Sequence, residues 1–599
     1  MNKIKLLWEY MKGYRLLYLM AILSIGVAAF IQFLWPLVLR VTIDSIIGDQ
    51  PLEISGWLAP FFEKIFVKIG GREFLVEKLW LTAVVLVFLT LIRGLFTYLK
   101  GRWSAIASES IIKNLRDDLY EHLQFLPYSY YSKVKTGDLI QRCTSDLDTI
   151  RQFLAIQFVE VGRAIFMIIF ALSFMLPMNV KLTLISITLV PVLFFFAFIF
   201  FQKVRKVFKE ADETEGELST VLQENLSGVR VVRAFAQQKQ EIEKFDEKNT
   251  QYRDKTYKLI RLLALYWASS DFISMAQISS VVILGTYFAA TGKISLGTFL
   301  AFSTYIGMLL WPIRQMGRVL TDMGKALVSI ERIDEIFQTK IEDIFSGEKL
   351  GNIKGNLEFK NVSFGYKENK MVLKNVSFKV KAGETVAILG PTGAGKSTLV
   401  NLIPGLFEPN SGEIFLDGKP LKQISKISLR KKVGIVLQEP FLFSRTIADN
   451  IALSKQNAKI EDIQHAAKIA SIHEVIKSFD NGYQTAVGEK GVTLSGGQKQ
   501  RLAIARTVIN DSDILIFDDS LSAVDTETDA AIRKRLSERS KNVTTFIISH
   551  RLSTLMEADK ILVLENGEIT QCGTHDELSK KPGLYQRVWN IQNNLDNEF

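Results

Sequence analysis

The sequence predicts an α-helical membrane region of six spans, continued by helices beyond the bilayer and fused to one soluble α/β domain. Three observations carry this. The chain has 599 residues, 48% of them hydrophobic, and its apolar residues pile up before about residue 320 in runs too long for soluble helices. After about residue 355 the composition is that of an ordinary globular domain. In that second part a buried-type strand, Thr385–Leu389, runs straight into a glycine-rich turn and then an apolar helix. The expected organisation is residues 1–325 as membrane region, 326–354 as linker and 355–599 as the soluble domain.

The formal net charge is +10. Because Lys and Arg flank the apolar runs, the balance points to loops beside anionic lipid and not to nucleic acid. The two cysteines, Cys143 and Cys572, lie far apart and have no metal-ligand spacing, so neither a disulfide framework nor a zinc site is expected.

The spans are expected at Leu16–Leu39, Leu79–Leu99, Phe158–Leu176, Leu182–Phe201, Leu262–Ala290 and Leu296–Arg314. Each is long enough for a hydrocarbon core of about 30 Å. None shows the two-residue alternation of barrel strands, so each is helical. The first run is too long for a cleaved signal peptide, and no small-residue cleavage site follows it. Lys3, Lys5, Lys12 and Arg15 precede it and place the N-terminus in the cytoplasm. The cations after the second span (Arg102, Lys113, Arg116) and after the fourth (Lys203, Arg205, Lys206, Lys209) agree. The connections carrying Lys181 and Lys293, and the longer one from Arg40 to Lys78, then lie outside.

Residues 100–157 and 202–261 are charged and helix-patterned, so the spans should continue as helices into the cytoplasm. Pro127-Tyr128-Ser129-Tyr130-Tyr131 breaks the first of these loops, and Ser227-Gly228 is expected to break the second, each break making a blunt contact point. Gln32, Arg93, Glu160, Arg163, Asp271, Gln277 and Gln315 sit in spans or at their ends. They line either a cavity or self-satisfied pairs between helices. Trp35-Pro36 and Trp311-Pro312 read as kinks.

The glycine-rich turn is Gly390-Pro391-Thr392-Gly393-Ala394-Gly395-Lys396-Ser397-Thr398, the phosphate-loop pattern G-x-x-x-x-G-K-S. Glycines let backbone N–H groups cradle phosphate oxygens, Lys396 reaches the outer phosphates, and the Ser397 hydroxyl binds Mg²⁺. Ile514–Asp518 is a second apolar strand ending in a carboxylate placed to hold the same metal. A nucleoside triphosphate and Mg²⁺ are therefore the expected ligands.

Upstream of that carboxylate stands Leu494-Ser495-Gly496-Gly497-Gln498. With this pentapeptide, the phosphate loop and six preceding spans, the chain resembles the ATP-binding cassette (ABC) proteins, and specifically an exporter half-transporter. The resemblance covers nearly the whole chain. It implies that Tyr366 stacks on adenine, that Gln438 senses Mg²⁺ and the attacking water, and that His550 contacts the γ-phosphate. Val487-Gly488-Glu489-Lys490-Gly491 resembles a loop that meets the partner, and Ser522-Ala523-Val524-Asp525 one that links two sites. Thr136-Gly137-Asp138-Leu139 with Arg142 and Asp146, and Glu224–Gly228 with Arg233-Ala234-Phe235, resemble the two coupling regions. His122, His465, His473 and His575 have no motif context and are expected in solvent.

In this family two cassettes pair head to tail, so Leu494–Gln498 would contact ATP held by a partner's phosphate loop. The departure is Asp519, where the family has glutamate to orient or deprotonate water. A carboxylate one methylene short implies slow hydrolysis, and with the intact signature this resembles half-transporters of the heterodimeric multidrug type. The implied function is ATP-driven export of hydrophobic or amphipathic, drug-like compounds across the cell membrane. Open alternatives are a competent homodimer exporting lipid or lipopeptide, and a largely regulatory ATP-binding subunit. An importer, a DNA-repair cassette and a peptide exporter with a processing protease are disfavoured by the fused cassette, the six spans and the lack of an extra domain before Leu16.

Overall fold

The computed structural model describes residues 3–48, 50–51, 60, 64, 68, 71–367, 370–488, 491–520, 524–539 and 543–597. Residues 49, 52–59, 61–63, 65–67 and 69–70 of the expected outer connection between the first two spans, Glu489 and Lys490 of the partner-facing loop, and Ser522 and Ala523 of the linking loop lie outside them. The chain forms two compact units. One comprises Met1–Gln124 with Lys135–Thr339, the other Phe125–Val134 with Lys340–Phe599.

In the first unit, among the described residues, six helices are long and apolar enough to cross a membrane: Arg15–Ile47, Trp80–Gln124, Thr136–Met178, Val180–Ala234, Gln238–Ala290 and Leu296–Gln338. Each contains one of the six predicted apolar runs, the second from Trp80 onward. Most reach far past it, because charged, helix-favouring sequence continues the 3.6-residue pattern. The sixth runs to Gln338, into the stretch assigned to the linker.

The buried centre of this unit is aromatic and aliphatic. Phe33 stacks on Tyr305 (5.2 Å between centroids) and on Phe174 (5.9 Å), and the Tyr305 hydroxyl donates to the Phe33 carbonyl. That bond gives the one polar atom of a fully buried ring its partner. The fourth helix is interrupted between Ile187 and Val190, where Pro191 follows. Gln277 repairs the interruption. Its amide donates to the Ile185 carbonyl and its oxygen accepts from the Leu189 N–H. Glu160 pairs with Arg163 and with Lys100 of the second span, each at 3.3 Å. Of the two readings for Glu160 and Arg163, the paired one holds.

The predicted break at Ser227-Gly228 is absent. The helix continues through it to Ala234, and the turn falls at Phe235–Gln237, where Ala236 adopts φ 54°. A Cβ on Gly228 would meet nothing within 4 Å, so this glycine serves no close approach. One helical glycine costs only about 1 kcal/mol, too little to end a helix this long. Thr136–Asp146 packs within the first unit: Asp138 pairs with Arg142 and Arg332, and Asp146 with Arg332. Pro127 does end a helix, and Tyr128–Tyr131 forms one turn in the second unit, with Tyr128 edge-on to Phe407 at 5.3 Å.

Among the described residues, the second unit has two sheets. β1 (Leu357–Phe364), β2 (Leu373–Val380), β4 (Ser411–Leu416) and β5 (Lys419–Pro420) form an antiparallel sheet in the order β2-β1-β4-β5. β3 (Thr385–Leu389), β6 (Val433–Val436), β7 (Ile514–Asp518), β8 (Thr544–Ile548), β9 (Lys560–Glu565) and β10 (Glu568–Gly573) form the second, in the order β10-β9-β3-β8-β7-β6. Pairs among β9, β3, β8, β7 and β6 are parallel. As expected for strands covered on both faces, β7 is buried at every position. β1 instead alternates, and its inward Phe359 stacks on Phe378 of β2 at 4.5 Å.

Entry into this unit is fastened by Glu342, just after the sixth helix. It accepts from both Arg430 terminal nitrogens (2.8 and 2.9 Å) and from Lys426 (3.1 Å), while its N–H donates to the Phe125 carbonyl at 2.7 Å. Burial pushes this carboxyl up, but the Arg430 and Lys426 hydrogen bonds outweigh it and hold it below the usual range. A depressed carboxyl stabilises fully above its unfolded pKa of about 4.3 and loses that contribution as pH falls through the lower folded value. Glu342→Gln is expected to cost about 2 kcal/mol at neutral pH. The difference from the parent should shrink below pH 4, as read from urea midpoints across pH.

Candidate functional site

Four loops at the carboxyl ends of parallel strands converge. The order β3-β8-β7-β6 sets the turn after β3, His550 after β8, Asp518 and Asp519 at the end of β7, and Gln438 after β6 side by side. In open parallel sheets this edge is where ligands bind. The cleft there has a volume of about 350 Å³. Its walls include Tyr366, Thr392, Gly393, Gly395–Thr398, Gln438, Asp518, Asp519 and His550.

The turn needs its glycines for two reasons. Gly395 has φ 102°, and a Cβ there would approach the Leu373 side chain to 3.0 Å. A Cβ on Gly390 would lie 2.2 Å from the Leu564 carbonyl oxygen. Ala394, among the expected ligand residues, is 4% exposed and faces the core, so only its backbone can serve a phosphate.

Lys396 donates to the Gly390 and Pro391 carbonyls at 2.7 and 3.0 Å. Burial lowers its pKa, and Asp519 and Asp518 work against that shift. A half-buried cation resting on two carbonyls is ready to exchange them for phosphate oxygens. The Ser397 hydroxyl donates to Asp518 Oδ1 at 2.8 Å. Asp518 is 5% exposed, and burial raises its pKa, only partly offset by Ser397.

A buried carboxylate and a hydroxyl in contact, with Gln438 on the same wall, are hard oxygen donors suited to Mg²⁺. A raised carboxyl destabilises the fold as pH rises past its unfolded value. Asp518→Asn, which can still accept from Ser397, is expected to raise the nucleotide-free melting temperature by about 2–4 °C and to abolish Mg²⁺-dependent ATP binding. Calorimetry and nucleotide titration check the two halves.

Gln438 Nε2 lies 3.5 Å from Asp519 Oδ2. The Tyr366 hydroxyl shares a hydrogen bond with Thr398 Oγ1 at 3.0 Å, and its ring stands edge-on to Phe407 at 5.2 Å. These contacts fix the ring at the mouth of the cleft. The signature segment lies elsewhere: none of Leu494–Gln498 lines the cleft. Ser495 caps the helix Gly496–Val508 in a reciprocal pair with Gln498, leaving Ser495 and Gly496 exposed at its N-terminus.

Sequence reasoning missed several supports. Asp529, 0% exposed, faces Arg533 and Arg551 at 3.4 and 3.5 Å, and Arg551 also donates to the Val524 carbonyl. One arginine thus ties the residue beside His550 to the loop after β7. Gln592 of the C-terminal helix donates to the His550 carbonyl at 3.1 Å. The expectation that the other histidines are solvated holds for His465 alone. His122 meets the Thr339 carbonyl at 3.0 Å, and His473 and His575 each pair with a tyrosine hydroxyl at 2.7 Å.

Fold and cleft together define a membrane-embedded nucleotide-driven machine. Residues 18–313 match the ABC transporter transmembrane region, and residues 373–522 match the ABC transporter domain. The chain is 35% identical over 99% of its length, and 98% of the other, to "Uncharacterized ABC transporter ATP-binding protein YknU" of Bacillus subtilis. It is 34% identical over 99% of its length and the whole of "Putative multidrug export ATP-binding/permease protein YgaD" of the same organism. Among solved structures, a bacterial Atm1-family ABC exporter with ATP bound superposes with TM-score 0.81 at 26% identity, covering 96% of this chain and 98% of that one. The chain belongs to the ABC transporter family and has the architecture of an exporter half-transporter. It is a multi-pass membrane protein whose ATPase domain binds ATP and couples hydrolysis to transport, and such exporters work as dimers.

Proposed function

We propose that this chain is one half of a heterodimeric exporter of hydrophobic or amphipathic, drug-like compounds, and that its own phosphate-loop site turns over slowly. The observation that carries the reading is the cleft itself. Tyr366, Lys396, Ser397, Gln438, Asp518, Asp519 and His550 share it, while Leu494–Gln498 do not. One chain therefore supplies half of each of two sites. Tyr366 would take the adenine and Thr392–Thr398 the phosphates. Ser397, Gln438 and Asp518 would hold Mg²⁺, which supplies positive charge against the phosphate oxygens. His550 would donate to the γ-phosphate, and Asp519 would orient the attacking water. The exposed N–H groups after Ser495 would meet ATP bound by the partner. ATP drives the conformational cycle only through its different affinities for the two states.

The export of drug-like compounds is supported by the printed function of relatives such as the Bacillus subtilis YgaD protein. The slow site is supported by Asp519. Competent homodimeric export is the second reading, because Gln438 still reaches the Asp519 carboxylate. The test is ATPase activity of the purified chain alone and with a co-encoded half-transporter, together with drug uptake by inside-out vesicles. Brisk turnover by the chain alone, abolished by Asp519→Asn, overturns the heterodimer.

A further inference from the structure

The helix Leu584–Asn597 is anchored to the elements on either side of the nucleotide cleft. Tyr585, fully buried, packs on a cluster that includes Leu389, the residue before Gly390, and Leu555, of the short helix that follows Arg551. Val588 and Trp589 pack against the same cluster. The Tyr585 hydroxyl meets His575 Nδ1 at 2.7 Å, and the Trp589 ring stands edge-on to that imidazole at 4.8 Å.

Tyr585, Val588, Trp589 and Gln592 fall at i, i+3, i+4 and i+7, so they share one face of the helix. The last place on this otherwise apolar-packed face is an amide, and it has a use. Gln592 Nε2 donates to the His550 carbonyl at 3.1 Å. The strand β8 has ended at Ile548, so no ladder bond serves that carbonyl. The same turn is held from the other side. The Arg551 N–H donates to Ser549 Oγ at 3.1 Å, and the Arg551 guanidinium donates to the Val524 carbonyl at 2.6 Å.

Fixing the peptide after His550 fixes the direction in which its Cα–Cβ bond, and hence the imidazole, leaves the backbone. Gln592 does not line the cleft, whereas His550 does. Its effect on a ligand must therefore pass through the histidine. A loop released from such a contact presents its side chain correctly for only part of the time, and apparent affinity falls by that fraction.

We propose that Gln592 is a positioning residue for His550, and that through it the docked helix Leu584–Asn597 sets this site's preference for a nucleoside triphosphate over a diphosphate. This rests on the reading of His550 as a donor to the γ-phosphate. A diphosphate lacks the group that His550 would meet, so a misplaced imidazole costs the triphosphate alone. Loss of packing in the cassette would weaken both.

The test measures Mg²⁺-dependent binding of ADP and of the non-hydrolysable analogue adenylyl imidodiphosphate to the full-length dimer in lipid nanodiscs. The binding counted is the part that Lys396→Ala in this chain removes. His550→Ala is expected to weaken the analogue about tenfold, the loss of one hydrogen bond to a charged group, with ADP changed by less than about twofold. Gln592→Met keeps side-chain length and helix propensity but has no donor. It is expected to weaken the analogue about fivefold, as for a loop correctly placed roughly one-fifth of the time, again with ADP nearly unchanged. In the His550→Ala background Gln592→Met should add nothing, because the two act through one contact. Should Gln592→Met fail to assemble, Gln592→Asn, whose amide falls one methylene short, is expected to give the same selective loss. Equal losses for both nucleotides, no loss for either, or a further loss on top of His550→Ala would each overturn the proposal. If His550→Ala itself leaves the analogue as tightly bound as before, the γ-phosphate reading fails and takes the proposal with it, a pattern distinct from a failure of Gln592 alone.

Discussion

Lys396→Ala is expected to lower ATP affinity at this chain's phosphate loop by about 100-fold and to remove the hydrolysis that depends on that site. Lys396 gives up two carbonyl contacts, at 2.7 and 3.0 Å, and takes phosphate oxygens in exchange. Hydrogen bonds to charged groups contribute about 1.5–3 kcal/mol each, so losing one or two of them accounts for a 100-fold change. The loss is compounded because Lys396 also helps keep Asp518 ionised beside it. Lys396→Arg should restore little, since a planar fork does not occupy the place of a compact ammonium. The fold should survive, as the freed Gly390 and Pro391 carbonyls border an open cleft. Nucleotide titration, with thermal melting as the control for folding, separates these effects.

The parts of the molecule legible in the sequence are those whose chemistry is local. The phosphate loop is contiguous, so its pattern could be read without the fold, although the groups that crowd its glycines, Leu373 and the Leu564 carbonyl, come from other strands or their ends. The spans were legible because length and hydropathy alone define them. What was not legible depends on where strands lie next to one another. Only the order β3-β8-β7-β6 brings Gln438, Asp518 and His550 to one edge, and no spacing in the chain reveals that order. His473 and His575 were misjudged because their partners, Tyr483 and Tyr585, come into reach only through tertiary packing. The second loop was misjudged because glycine was weighted as a breaker, whereas cooperative helix on both sides outweighs one unfavourable residue. The ion pair of Asp271 with Arg314 shows the same limit. The sequence flagged Asp271 as a costly charge in a span, but naming its partner required the packing of the fifth span on the sixth.

The second large effect concerns Asp519. Its backbone is left-handed, φ 45°, a conformation aspartate tolerates better than longer side chains. Its carboxylate lies 3.5 Å from Gln438 Nε2, a long contact that leaves room toward the cleft. Asp519→Glu adds one methylene and carries the carboxylate about 1 Å farther toward the γ-phosphate, the scale on which misplacement costs ~100-fold in rate. The substitution is therefore expected to raise hydrolysis at this chain's own phosphate loop by about 10–100-fold. Glutamate in a left-handed conformation costs on the order of 1 kcal/mol, so melting temperature should fall slightly as activity rises. That opposite movement is diagnostic, because a gain caused by better folding would move both the same way. In a heterodimer the rise should persist when the partner's own phosphate-loop site is silenced. If Asp519→Glu left turnover unchanged while Asp519→Asn removed it, aspartate would already reach the water, and the slow-site account would give way to the homodimer.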